Sequence, residues 1–141
     1  MIEILSIDHY TQILDLWHLT GLPFKERGRD SYLSLEKQLK AGSIVILGYF
    51  SDQTLVGVVL LSQDGRKGWI NRLAVHPLYQ RRGIASKLIQ YCENYFRSLN
   101  ITVYGALIEA DNIQSKNCFE KNGWSYWPEI HYYSKRESDQ S

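Results

Sequence analysis

Cysteine is scarce in this sequence: Cys92 and Cys118 are the only two among 141 residues. They lie far apart, in no spacing that suits a metal or a redox pair, which argues against a disulfide framework and a thiolate metal centre. No other metal site is expected. Each cysteine falls in an expected helix and reads as a small buried hydrophobe. An excess of either charge is missing as well. Sixteen Lys and Arg stand against fifteen Asp and Glu, for a net charge of +1, which argues against nucleic acid or a membrane surface as partner. No apolar run approaches the length of a membrane span. The start, MIEILSIDHYTQ, has no basic stretch leading into an apolar one, so no secretory signal is expected and the expected location is cytoplasmic. Repeats and low-complexity stretches are absent. What remains is ordinary globular composition, 44% hydrophobic and 22% charged. The length suits one domain over 1–141, with 135–141 as a flexible tail.

The pattern along the chain predicts the order β-α-α-β-β-β-α-β-α-β-β. Ile2–Ile7 alternates loosely as a short strand. Asp8 is placed to cap a first helix, with Ile13, Leu14, Leu16 and Trp17 as its apolar stripe. TGLPFKERGR is a loop. Asp30 is placed to cap a second helix through Lys40, which Gly42 ends. SIVILGYF, LVGVVLLSQ and WINRLAV read as three strands. Asp64-Gly65 turns the second hairpin, and Pro77 ends the third strand by His76. Beyond Gly83, residues Ala85, Leu88, Ile89, Cys92, Phe96 and Leu99 recur at steps of three and four and form one apolar helix face. ITVYGALIEA is a buried strand. Asp111 and Asn112 are capping candidates for a fourth helix that Gly123 ends. Trp124–Trp127 and Tyr132–Lys135 are short closing strands around Pro128. The expected fold is α/β, a mixed and mostly antiparallel twisted sheet of about seven strands with four helices.

The stretch HPLYQRRGIASKL, from His76, sets a glycine and two arginines before a helix. The first turn of a helix has unpaired N–H groups and a partial positive charge, a natural place for phosphate. Gly83 lets a ligand approach the backbone, and small Ala85 helps. Arg81 and Arg82 add charge-assisted hydrogen bonds. Taken alone, the loop is equally a turn glycine beside two solvated arginines. It lacks both the Gly-Lys-Ser/Thr of a nucleotide P-loop and the three-glycine dinucleotide fingerprint.

LAVHPLYQRRGIASKLI resembles the acetyl-CoA binding motif of the GNAT acyltransferase superfamily, Gln/Arg-x-x-Gly-x-Gly/Ala, which Gln80, Arg81, Arg82, Gly83, Ile84 and Ala85 fill position by position. EADNIQSKNCFEKNGW resembles the second family motif, an Asn, a short helix, then Phe/Tyr-Glu-Lys-x-Gly-aromatic. The two stand in the family order, and the resemblance covers essentially the whole chain. It implies acetyl-CoA as cofactor, with its pyrophosphate on backbone N–H groups from Arg81 to Ser86. It implies that the strand carrying Leu73, Ala74 and Val75 splays from its parallel neighbour, and that the pantetheine arm lies in the gap. Asn112 matches a position that touches that arm, or serves as a helix cap, or both. Ser115 and Phe119 belong to the same motif and complete the implied cofactor set. Relatives often pair as homodimers, which makes a second copy of the chain a candidate partner.

The implied reaction is direct attack of an amine on the acetyl thioester, with a backbone N–H near Leu73 as oxyanion donor. The chain departs from the family in its acid–base groups. The Tyr that protonates the leaving thiolate in many members is Phe119 here. The strand before the loop reads Trp69, Ile70, Asn71, Arg72 and carries no carboxylate. Glu109 on the neighbouring strand is a substitute base whose pKa desolvation would raise; otherwise it is a solvated strand-end residue or a partner of Arg72. Asn71 either orders a relay water or is a polar residue on an open sheet face. Tyr126, Tyr132, Tyr133, His18 and His131 are weaker candidates. Lys25, Arg27 and Arg29 either mark an anionic acceptor or form a solvated basic loop. The expected activity is N-acetyl transfer to a primary amine on a small molecule or peptide. The alternatives are a catalytically weak CoA-binding module and, disfavoured by charge, a nucleic-acid-binding domain.

Overall fold

The computed structural model describes residues 1–141, and it has five strands and four α-helices. In chain order they are β1 (Ile2–Ile4), α1 (Tyr10–Leu19), α2 (Tyr32–Ala41), β2 (Ile44–Ser51), β3 (Thr54–Gln63), β4 (Gly68–Val75), α3 (Ile84–Ser98), β5 (Tyr104–Ala106) and α4 (Ile113–Lys121). The sheet order follows the chain order, β1-β2-β3-β4-β5. The first three pairings are antiparallel and β4–β5 is parallel. A parallel pair needs a crossover, and α3 supplies it.

The sheet is apolar on both faces because β2 and β3 are β-branched and leucine runs whose alternate residues serve opposite layers. Leu47, Val56, Val59 and Leu61 face α3, where Leu88, Ile89, Cys92 and Phe96 meet them. Ile44, Ile46, Val58 and Leu60 face the other way and pack on Ile13, Leu16 and Trp17 of α1 and Leu35 of α2. Each helix buries the stripe that its three- and four-residue spacing predicts. Burial pushes the Cys92 thiol up to about 12, with the nearby Glu93 charge adding to the effect.

Several expectations are corrected. There are five strands, not about seven. Trp124–Trp127 and Tyr132–Lys135 are not strands; a single backbone bond, Ile130 N to Trp127 O at 3.2 Å, folds the chain into a turn there. Pro128 has no N–H to offer a ladder and restricts the residue before it. β5 has three half-buried residues rather than a full buried strand. Asp8 does not cap α1. Ser6 instead caps a 3-10 turn, Ile7–His9, that leads into the helix. Ser31 rather than Asp30 caps α2, its hydroxyl accepting from Ser34 N at 3.2 Å. Gly42 ends α2 in the left-handed region, as expected. Leu99, placed on the apolar face of α3, is exposed just beyond its end.

Gly68 opens β4 directly beneath the buried ring of Phe96, which stacks on Tyr104 at 5.2 Å. A Cβ built on Gly68 would stand 2.5 Å from that ring. Gly68→Ala is therefore expected to destabilise the fold by about 1–3 kcal/mol through overpacking, read as a lower urea midpoint with an unchanged slope.

Candidate functional site

β4 and β5 pair at Gly68–Tyr104, Trp69–Gly105 and Ile70–Ala106, and there the pairing stops. β4 continues to Val75 with no parallel neighbour. The chain beyond β5 leaves the sheet and turns into α4. The splay expected between the two strands is therefore present, and it opens one edge of the β4 backbone over residues 71–75.

β4 is also bulged in this stretch. Val58 faces Ala74 and Leu60 faces Asn71, so Val59 alone stands opposite both Arg72 and Leu73. The extra residue disrupts the ladder and reverses side-chain parity beyond it. Ile70 packs on the α3 face, yet Ala74, four residues on, packs on the α1 face. Arg72 carries the distortion at φ 45°.

The loop after β4 places the N-terminus of α3 beside this open edge. His76 N donates to Val56 O at 2.7 Å, and the His76 ring accepts from Leu78 N at 3.1 Å to start a 3-10 turn, Pro77–Tyr79. Gln80 Nε2 then donates back to Val75 O at 3.1 Å. Arg81 and Gly83 both take positive φ, 64° and 78°, a backbone course of the kind that curls N–H groups into an anion-binding hollow. Gly83 precedes the helix with no side-chain cap, so the N–H groups of the first turn are left bare. A Cβ on Gly83 would meet nothing within 4 Å; the glycine faces open space.

These elements enclose a cleft of about 730 Å³, within the range of small-ligand sites. Leu73, Ala74 and Val75 line one wall, Gln80, Arg81, Gly83, Ile84, Ala85 and Ser86 the next, and Asn112 and Ser115 the third. The structure thus brings together nearly the whole expected cofactor set. Asn112 caps α4, its Oδ1 accepting from Ser115 N at 3.1 Å, and lines the cleft as well. Two bonds tie α4 and its C-cap to the loop and to the first turn of α3: Gln114 Nε2 to Gln80 Oε1 at 2.9 Å and Asn122 Nδ2 to Ser86 Oγ at 3.0 Å.

Four named residues stand outside the cleft wall. Arg82 lays its guanidinium over the Tyr79 ring at 5.0 Å. Phe119 is buried in the core against Trp124, at 4.8 Å. Asn71 turns its amide to Ser62 Oγ at 3.3 Å. Glu109 is exposed beyond β5 and has no ion-pair partner. Arg72 pairs with buried Asp30 instead. Of the basic loop residues, Lys25 donates its ammonium to Asp139 O at 2.8 Å.

The sequence reading missed the rest of the wall. Gln114, Asn117, Cys118 and Lys121 line it, at i, i+3, i+4 and i+7 of α4. That spacing marks one helix face and was legible once the helix was drawn. Leu19, Thr20 and Leu22, where α1 gives way to its loop, complete the open end; the family resemblance implies an acceptor over this helix and loop without singling out these residues.

The fold and cleft define a class: an α/β protein in which a bare helix N-terminus and an open strand edge share one cleft. The chain belongs to the acetyltransferase (GNAT) family, whose sequence profile matches residues 11–124. An acetyltransferase of Yersinia pseudotuberculosis is 27% identical over 120 residues, spanning 85% of this chain and 84% of the relative. A PaiA N-acetyltransferase from Thermoplasma acidophilum, solved with coenzyme A, superposes with a TM-score of 0.74 at 23% identity, over 86% of this chain and 88% of that one. An aminoglycoside 6'-N-acetyltransferase from Acinetobacter baumannii superposes with a TM-score of 0.79 at 18% identity, over 98% and 99% of the two chains.

The two cysteines differ in setting. Cys118 is half-buried on the cleft wall, and the Cys92 thiol is fully buried and held protonated. Thiolate is the reactive form. Iodoacetamide at pH 8 is expected to label Cys118 and spare Cys92 in the native protein, and to label both in denaturant, as read by peptide mass spectrometry.

Proposed function

We propose that this chain is an acetyl-CoA-dependent N-acetyltransferase in which a primary amine attacks the acetyl thioester directly. The observation that carries the reading is the coincidence of an uncapped α3 N-terminus with the unpaired edge of β4 in one cleft. The cradle fits a diphosphate. First-turn N–H groups of α3 and the Arg81 side chain supply donors and positive charge, and Gly83 leaves the approach clear. The exposed β4 backbone suits an amide-bearing arm, which can bond to it as an added strand does.

Acetyl-CoA, when bound, supplies the acetyl thioester. The chain's own part is positioning and charge stabilisation. Leu73, displaced from the ladder by the bulge, lies on the open stretch of β4 and lines the cleft, so its backbone N–H is the donor offered to the carbonyl oxygen. The charged residues of the cleft wall, Arg81 and Lys121, are both basic. The acceptor's ammonium proton therefore passes to water at the open end rather than to a carboxylate on the wall. Glu109 and Asn71 enter only through such water.

That wall also bears on the acceptor. Its open end is framed by Leu19, Thr20 and Leu22, and Thr20 Oγ1 is occupied with Leu16 O at 2.7 Å. A polycationic acceptor meets no carboxylate there, so a monoamine with an apolar group beside the nitrogen is the better match. A second reading, a CoA-binding module with little turnover, draws on the burial of Phe119 where many relatives carry a Tyr.

Two measurements test this. Gly83→Glu is expected to weaken acetyl-CoA binding by about 100-fold or more in calorimetry, because a like charge facing the diphosphate costs several kcal/mol. Gly83→Ala, which shares the backbone strain, is the control. Thiol release from acetyl-CoA over an amine panel is expected to favour apolar monoamines over aminoglycosides. Binding without turnover of any amine would favour the module.

A further inference from the structure

We propose that the Asp30–Arg72 ion pair is the positioning device of the site: it holds the β4 bulge in its left-handed turn and thereby aims the Leu73 backbone into the cleft. The inference rests on the acetyltransferase reading for what that backbone is aimed at.

Arg72 lies at φ 45°, a region that L-residues other than Asn and Asp rarely enter and that persists only where the surroundings impose it. Here they do. Its Nη1 pairs with Asp30 Oδ1, and its guanidinium lies over the Trp17 ring at 4.8 Å. The Arg72 and Asp30 side chains are 14% and 3% exposed, so the pair is nearly dry and breaking either partner is costly. Without the pair, only the Trp17 contact is left on the side chain to favour the strained turn over regular strand. A return to regular strand would remove the extra residue, flip the parity of β4 and move Leu73 off the cleft.

Asp30 is itself held on both sides. Its Oδ2 accepts from Lys25 N at 2.6 Å, and its carbonyl accepts from the Tyr10 hydroxyl at 2.9 Å. Burial, then the charges of Glu26 and Asp30, raise the Tyr10 phenol above its ordinary range. One carboxylate thus joins the loop after α1, which carries Leu22 at the open end, to the bulge that carries Leu73. Neither Asp30 nor Arg72 lines the cleft; the pair acts on it through the backbone of Leu73.

The test needs no acceptor. Acetyl-CoA labelled with carbon-13 at the carbonyl is bound to wild type and variants, the carbonyl resonance is followed by NMR, and affinity by calorimetry. In wild type the bound carbonyl is expected downfield of the free one, polarised by a backbone donor. Arg72→Ala is expected to lose the displacement while binding only a few-fold more weakly, because the α3 N-terminus that holds the diphosphate is untouched. Arg72→Gly, free to hold a positive φ without the guanidinium, is expected to recover it, although both variants melt earlier. Asp30→Asn, which keeps an oxygen for Lys25 N, is expected to lose part of the displacement, and to lose nothing further when combined with Arg72→Gly. It also serves if Arg72→Ala does not fold. Equal loss in the Ala and Gly variants, full displacement in Asp30→Asn, or affinity falling in step with the displacement would overturn the proposal. Wild type that binds with no displacement would overturn it and leave the acetyltransferase reading standing; wild type that does not bind would overturn both.

Discussion

The site exists because two parallel strands stop pairing. Hydrogen bonding between β4 and β5 ends at Ile70 and Ala106, while β4 runs on with its other edge on β3. A sheet that stayed paired would bury the β4 backbone and leave the α3 N-terminus nothing to face. Unpaired strand backbone is normally a liability. Here it is sheltered on the far side by α4, which Asn112 caps and which Gln114 and Asn122 tie to the phosphate loop and the first turn of α3. The opening is held open by the same chain that leaves it.

Much of this was legible because it is local. Gly83 before an apolar helix, Gly42 after another and the alternation of β2 and β3 are patterns of a few residues whose physics is complete within them. The loop before α3 is a pattern of the same kind, and nearly every residue expected to meet a cofactor there lines the cleft. What escaped was set by partners distant in sequence. Asp30 has the local look of a helix cap, but its partner is Arg72, and nothing between them announces the pair. Glu109 could be read either as a desolvated base among apolar neighbours or as a solvated strand-end residue, and the second holds because β5 ends before it and leaves it exposed. The closing strands failed for want of a ladder. Tyr126, Trp127, Tyr132 and Tyr133 have strand propensity, but here they are exposed and unpaired. Phe119 sits where the family motif puts it, but on the core face of α4, while Gln114, Asn117, Cys118 and Lys121 take the cleft face.

Charge is used in two different ways. At the phosphate loop it is exposed and unpartnered, with Arg81 at the cleft and partial charges from a helix end, so the cost of meeting an anion is low. At the bulge it is buried and paired, which contributes shape rather than net stability. The two settings lie on either side of Leu73, one within β4 and the other in the loop that leads from β4 into α3. One is open to an anion, and the other braces the neighbouring backbone.

The agreement between sheet order and chain order has a consequence for biosynthesis. Chains emerge N-terminal end first. β1 through β4 can complete their three antiparallel pairings before α4 leaves the ribosome. The binding cleft, which needs α4 as its far wall, is then the last part of the molecule to be assembled. A nascent chain stalled before residue 112 would hold most of its sheet and have no place to receive a cofactor.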